Sequence, residues 1–261
     1  MAETFAIVTG ASTGIGYHLA DCAVQDGYDV LIVADEPAIH TAASKLSAGA
    51  RAQVRAVEAD LSTFDGVDTL LSAAGGRRID VLCANAGNSK GGAFLDQPVE
   101  AWRRSIDTNV TGTVYLLQQV LSDMVRRGEG KVLVTGSIVG FIPGPFNAIY
   151  NATKAFIDNF TEALRNELKE DRGVTLTTLM PGATDTEFFA RADMLDTRVG
   201  MAKKDDPAKV ARAGWDAMLT GTGHVTPGLL NKAQVAGAGV VPQSVLAATH
   251  RRIAEPGSAD S

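Results

Sequence analysis

Cysteine is almost missing from this chain: among 261 residues only Cys22 and Cys83 carry thiols, 61 positions apart and in no C-x-x-C or zinc-type spacing. That excludes a disulfide-stapled scaffold and points to small buried hydrophobes in a reducing, cytoplasmic compartment. Histidine is as scarce. His18, His40, His224 and His250 stand apart, so neither a metal set nor a hydrolase triad is expected, and His18 reads as structural. Positive charge is in deficit, 24 Lys and Arg against 30 Asp and Glu, so the net charge of −6 lacks the basic footprint of a nucleic-acid binder. Long apolar runs are missing too. The most apolar stretch, 233–248, is broken by Pro242 and Gln243, short of the ~18 residues of a membrane span. The opening MAETFAIVTG has no basic segment ahead of a separate apolar one, so no secretory signal is expected.

What is abundant is glycine, 27 residues or about a tenth of the chain against a usual ~7%, which points to backbone closely approaching a ligand. Short apolar runs alternate with amphipathic stretches. Strands are expected at Phe5–Val8, Asp29–Val33, Gln53–Ala59, Ile79–Cys83, Lys131–Thr135 and Val174–Leu179. Helical spacing fills 14–26, 37–47, 63–74, 98–126 and 148–171. This alternation predicts an α/β fold of parallel βαβ units with strands buried on both faces. One domain is expected over 1–254, followed by a disordered tail, 255–261, of small, polar and proline residues.

Between the first strand and first helix stands Thr9-Gly10-Ala11-Ser12-Thr13-Gly14-Ile15-Gly16. Glycines allow a tight turn and let backbone N–H groups approach a pyrophosphate at a helix N-terminus. The flanking strand and helix are the context this motif requires. Asp35 ends the second strand 19 residues after Gly16, where it either bonds the ribose hydroxyls of an adenosine or stands as a solvated loop acid beside Glu36. Ser62 with Asp65 marks a helix N-terminus, so Asp60 either caps it or reaches an adenine amino group. Asn85-Ala86-Gly87 is either a turn or a close wall against the cofactor.

Tyr150 and Lys154 lie four apart on one helix, hence on one face. A phenol with pKa of about 10 is a poor base at neutral pH, and an adjacent ammonium is expected to lower it. Ser137, 13 residues earlier, can hydrogen-bond a substrate oxygen.

Together these stretches resemble the short-chain dehydrogenase/reductase family: TGASTGIG, ANAG, Asn109 within DTNVTGT, Ser137, Tyr150-Asn151-Ala152-Thr153-Lys154 and Pro181-Gly182, over nearly the whole chain. The resemblance implies a doubly wound Rossmann sheet of about seven parallel strands, helices on both faces, that binds NAD or NADP. It implies Tyr150 as acid/base, Ser137 polarising the carbonyl, Lys154 holding the nicotinamide ribose and Asn109 anchoring a water in a proton relay. Coenzyme contacts carry over to Gly10, Ser12, Thr13, Gly14, Ile15, Gly16, Asp35, Asp60, Leu61, Asn85, Ala86, Gly87, Tyr150, Lys154, Pro181, Gly182, Thr184 and Thr186. Thr184 departs from the branched apolar residue often seen at its place, and Gly223–Lys232 lacks the frequent Val-Asp-Gly-Gly ending. A homotetramer or homodimer is implied as well.

The substrate end is expected to draw on Phe94, Leu95, Ile138, Val139, Phe141, Ile142, Phe146, Phe188, Phe189, Met194 and Leu195, with 187–204 as a mobile lid. Such walls favour an apolar ketone or secondary alcohol over a polyol. Asp35 favours NAD over NADP, the nearest cations in sequence being Lys45, Arg51 and Arg55 on later elements. The alternatives are a 3-oxoacyl-carrier-protein reductase using NADPH, or a cofactor-sensing protein without chemistry. Arg103-Arg104 and Arg126-Arg127 read as solvated helix faces, or else as a dock for an acidic carrier.

Overall fold

The computed structural model describes residues 4–171 and 173–260. The chain runs β1 (Phe5–Thr9), α1 (Gly14–Gln25), β2 (Asp29–Ala34), α2 (Ala38–Ser47), β3 (Val54–Glu58), α3 (Phe64–Ala73) and β4 (Val81–Ala84). There follow α4 (Val99–Ile106), α5 (Thr113–Arg127), β5 (Gly130–Thr135), α6 (Ala148–Glu167) and β6 (Val174–Leu179). The last third contains α7 (Phe188–Arg191), α8 (Arg198–Met201), α9 (Pro207–Leu219), β7 (His224–Val225), α10 (Leu229–Ala238) and α11 (Gln243–Ala254).

The strands form one seven-stranded sheet in the order β3-β2-β1-β4-β5-β6-β7, every pair parallel. Their pleat sends alternate residues to opposite faces. Phe5, Ile7, Leu31, Val33 and Leu82 join the core packed under α3, α5 and α6. Ala6, Val8, Val30, Ile32 and Cys83 face the other core, with Leu19, Ile39 and Trp215. Both cysteines are buried free thiols. The Rossmann expectation holds, because near-continuous apolar strands leave no face for water.

Chain order reverses between β1 and β4, the switch point where strand ends leave a crevice. Several expectations need correction there and beyond. The helix expected over 98–126 is interrupted by a π-helical segment, Asp107–Gly112, between α4 and α5. A Cβ at Gly112 would overlap the Leu61 carbonyl, so this glycine lets the segment pack against the chain leaving β3. Thr63, not Ser62, caps α3 by accepting from Gly66 N at 3.0 Å. β7 is only two residues long. Residues 255–260, expected to be disordered, form a docked turn instead: Ala259 N donates to Asp196 O at 3.0 Å and Arg198 N to the buried Ser258 hydroxyl at 3.1 Å. Composition marks that tail as too polar to pack, but its small residues let hydrogen bonds to the 196–198 loop hold it. No helix among the described residues is long and apolar enough to cross a membrane.

Candidate active site

A cleft of about 510 Å³ opens over the switch point. Of the residues singled out from sequence, the glycine loop, Asp35, Asp60, Leu61, Asn85, Ala86, Gly87, Ser137, Tyr150, Lys154, Pro181, Gly182, Thr184 and Thr186 all line it. Asn109 stands one layer behind.

At the phosphate end, Gly10 and Gly14 have φ of 63° and 60°, which side chains other than glycine rarely adopt. A Cβ on Gly16 would overlap the Gly10 carbonyl, so the loop can close only without side chains. Thr13 holds the N-cap position of α1 without accepting a hydrogen bond from it, and the first turn carries no acid. Its backbone N–H groups are therefore left for an external anion, at the positive end of the helix dipole. This cradle fits a dinucleotide pyrophosphate. Thr186 packs its methyl against Gly14 and accepts from Phe188 N at 3.3 Å, tying the start of α7 to the loop.

Asn85 is a brace rather than a free ligand. Its side chain donates to Thr9 O and Gly10 O at 3.1 and 3.3 Å and accepts from Thr135 Oγ1 at 3.1 Å, stitching β1, β4 and β5. Gly87 is a close wall: a Cβ there would stand 3.2 Å from Asn109 Oδ1 and 3.7 Å from Lys154 Nζ.

At the chemical end, Ser137 follows β5 and Tyr150 and Lys154 project from the first turns of α6. Lys154 is buried and donates from Nζ to Thr135 O at 2.7 Å, with Nζ 5.7 Å from the Tyr150 ring centroid. The Tyr150 phenol was expected to be acidified by this lysine. It is instead pushed above its ordinary range, by burial first and by Asp158 second, with a Ser137 hydrogen bond working the other way. The hydroxyl is thus held protonated, ready to donate. Burial lowers the Lys154 ammonium and raises the Asp158 carboxyl, while each charge supports the other. Asp158, one turn beyond Lys154, sits in the notch left by Gly136 and Gly140, where a Cβ would collide with its carboxylate. The i, i+4 spacing from Lys154 was a signal that could have found it.

Asn109 occupies the π segment. It accepts from Asn88 N at 2.8 Å and donates to Asn88 O and Thr153 Oγ1 at 2.9 and 3.0 Å. Its side chain clamps the wall of the cleft to α6.

At the adenosine end, Asp60 Oδ1 accepts from Ser62 N at 3.0 Å, closing a local turn rather than capping a helix. Arg104, expected to be a solvated helix residue, reaches across from α4: its guanidinium lies 2.6 Å from Asp35 Oδ2 and 3.0 Å from Asp60 Oδ2. Burial works against ionisation of Asp60, but hydrogen bonds from Ser62 and Arg104 outweigh it and hold the carboxyl below its usual range. Ala101 and Arg104 of α4, at i and i+3, line the cleft together with Thr108 of the π segment, and so mark the inward face of this stretch. Arg103 does turn outward, to Asp107 at 3.4 Å. Beside this cluster, Arg191 of α7 pairs with Glu36 at 2.8 Å, and Glu36 accepts from Ser12 Oγ at 2.5 Å.

At the substrate end Val139, Phe188, Phe189 and Met194 line the cleft, with Phe188 4.9 Å from the Tyr150 ring between centroids. Phe141 and Ile142 border a separate outer groove, Phe94, Leu95 and Leu195 are exposed, Ile138 is core, and Phe146 packs beside Phe189 outside the cleft lining. Short apolar side chains near a motif do not reveal which way a loop turns them. The sequence reading also missed Ser89, Asn147, Val199 and His250 in the lining. His250, from α11, is buried with Nδ1 3.1 Å from Pro145 O.

The family model for short chain dehydrogenases matches residues 4–195. An uncharacterized oxidoreductase of Staphylococcus epidermidis is 34% identical over 226 residues, 85% of this chain and 94% of that one. A short-chain dehydrogenase from Sphingobium yanoikuyae, solved with NADPH, superposes with a TM-score of 0.80 at 28% identity, covering 92% of this chain and 97% of the other. A short chain dehydrogenase/reductase from Burkholderia phymatum, solved with NAD, shares the fold at TM-score 0.80 and 22% identity, covering 90% and 92%.

Proposed function

We propose that this chain, which belongs to the short chain dehydrogenase family, interconverts a secondary alcohol and a ketone using a nicotinamide coenzyme, NAD(H) by preference. The observation carrying this reading is one cleft that joins an open helix N-terminus and glycine cradle to Ser137, Tyr150 and Lys154. The bound nicotinamide would supply or accept the hydride.

In the reductive direction Tyr150, kept protonated by burial, gives its proton to the carbonyl oxygen. Ser137 Oγ donates a hydrogen bond to the same oxygen and stabilises charge developing there. Lys154, anchored by Thr135 O, holds positive charge beneath the tyrosine as its proton leaves and would hydrogen-bond the ribose of a bound nicotinamide. Asn109 keeps the wall fixed and offers the place for a relay water. Phe188, Phe189, Met194 and Val139 exclude water and suit an apolar ketone, because a polyol would leave hydroxyls unpaired against them. The segment 187–204, carrying α7 and α8, acts as a lid over this end.

NAD(H) is favoured because Asp35 and Asp60 outnumber Arg104 at the adenosine end, leaving net negative charge where NADP carries a phosphate. The arginines that an acidic carrier protein would need are engaged locally, Arg103 with Asp107 and Arg126 and Arg127 with Asp123. This supports a free small-molecule substrate. Assembly as a homodimer or homotetramer in a reducing cytoplasm completes the proposal. A panel of secondary alcohols and ketones assayed with NAD(H) and NADP(H) in parallel tests it. Turnover with apolar ketones and NADH is expected; coenzyme binding without any turnover would leave a sensor, and turnover only of carrier-linked substrates with NADPH would make it a carrier-protein reductase.

A further inference from the structure

We infer that Arg104 is the residue through which this site tolerates a 2′-phosphate, so that coenzyme choice is set by an Asp35–Arg104–Asp60 bridge and not by Asp35 alone. The inference rests on the coenzyme reading above.

One guanidinium joins carboxylates from the ends of two neighbouring strands, and it comes from the opposite wall of the cleft, beyond the switch point. Its two contacts, 2.6 Å to Asp35 and 3.0 Å to Asp60, use separate nitrogens. With Arg104 in place the three groups sum to one negative charge; without it they sum to two. The adjacent Glu36–Arg191 pair is self-neutral and adds nothing to that sum. The side chain of Arg104 is 45% exposed and Asp35 47%, so neither is locked by packing. A planar fork that grips two carboxylates also matches a phosphate bidentately, so Arg104 can exchange Asp35 for a 2′-phosphate without leaving the cleft. Among the described residues, Arg191 also lines the cleft, but it is held by Glu36 at 2.8 Å and bridges neither Asp35 nor Asp60. Arg103 turns to Asp107, and Arg55 donates to Ala73 O at 2.8 Å on the far side of β3.

With a 2′-hydroxyl the bridge stays closed, and Arg104 has no large effect. With a 2′-phosphate, Arg104 supplies the single positive charge that offsets two acids. Its loss therefore weakens only ligands that carry a 2′-phosphate.

The test is calorimetric titration of the full chain with 5′-AMP, 2′,5′-ADP, NAD and NADP, so that binding is read apart from turnover. For Arg104→Gln, affinity for 2′,5′-ADP and NADP is expected to fall at least tenfold, while 5′-AMP and NAD stay within threefold. Arg104→Lys keeps the charge without the fork and is expected to fall between. Asp35→Ala is expected to strengthen NADP, and the gain should vanish in the Asp35→Ala/Arg104→Gln double variant. Equal weakening of all four ligands by Arg104→Gln would make Arg104 merely structural and overturn the inference, as would unchanged NADP affinity. Failure of the wild-type chain to bind either dinucleotide would instead overturn the coenzyme reading itself.

Discussion

Tyr150→Phe isolates a single proton. The substitution removes the phenolic oxygen and leaves the ring, its contact with Phe188 at 4.9 Å and Lys154 Nζ at 5.7 Å from the centroid. Positioned acid–base groups contribute about 10²–10⁴-fold, and each factor of ten is about 1.4 kcal/mol, so the barrier should rise by roughly 3–5 kcal/mol. Ground-state terms are far smaller. The lost hydrogen bond is the one to Ser137, whose Oγ still reaches Pro181 O at 3.4 Å and accepts from Val139 N at 3.3 Å. Net hydrogen bonds are worth about 1 kcal/mol, and a buried hydroxyl's desolvation cost is relieved at the same time, so the melting temperature should move by no more than ~4 °C. Coenzyme affinity should stay within about threefold, under 1 kcal/mol, because the glycine cradle and Lys154 are untouched. Steady-state ketone reduction, coenzyme titration and thermal melting measured on one preparation separate these terms. Activity within a few-fold of wild type would show that another group donates the proton. A large loss shared by turnover, coenzyme affinity and melting temperature would show that Tyr150 supports the fold instead.

Asn109→Ala takes the partner from both the N–H and the C=O of part-buried Asn88, up to about 1–3 kcal/mol per group left unsatisfied, while the Thr153 hydroxyl keeps its bond to Tyr150 O, so melting temperature and turnover should fall together; an unchanged melting temperature would remove its clamping role. Arg191→Ala breaks an ion pair with Glu36 in which both side chains are partly exposed and which is worth ~0.2–1 kcal/mol, so coenzyme release should quicken by no more than about fivefold; a hundredfold change in stopped-flow release would mean the lid is latched mainly there. Burial holds His250 below its ordinary range, with the Pro145 hydrogen bond opposing, so the unfolded chain takes up a proton near pH 6.5 that the folded chain refuses. Stability is therefore complete above that pH and lost as pH falls toward the folded value. His250→Gln should flatten the melting temperature between about pH 7 and 5, and equal slopes for both proteins would refute the assignment.

The features legible in the sequence are those encoded in a few adjacent residues. Gly10, Gly14 and Gly16 declare a cradle because only glycine takes those backbone angles and approaches, and the strand before and helix after are local too. Tyr150 and Lys154 share a face by helix geometry alone. The strand β6 was expected and found at Val174–Leu179, since a short run of valine, threonine and leucine bounded by turn residues needs no tertiary information. The π segment at Asp107–Gly112 was not legible, because a single wide turn shifts the helical phase without changing composition.

Charge at the cleft mouth is illegible for a different reason. Asp35 and Arg104 are 69 positions apart, and only the β2-β1-β4 order brings α4 over the end of β2. Lys45, Arg51 and Arg55 are the nearest cations in sequence, on later elements, and none of them lines the cleft. The Tyr150 phenol makes the same point about magnitude. A lysine four residues away predicts acidification, but burial acts on the phenol and on the ammonium alike, raising the one and lowering the other. Burial therefore keeps the phenol in its protonated form, the form that the proposed proton donor requires. The sign of a pair's effect thus follows from how much water each member has lost, and burial is a property of the whole sheet and its helices, not of the spacing between two letters.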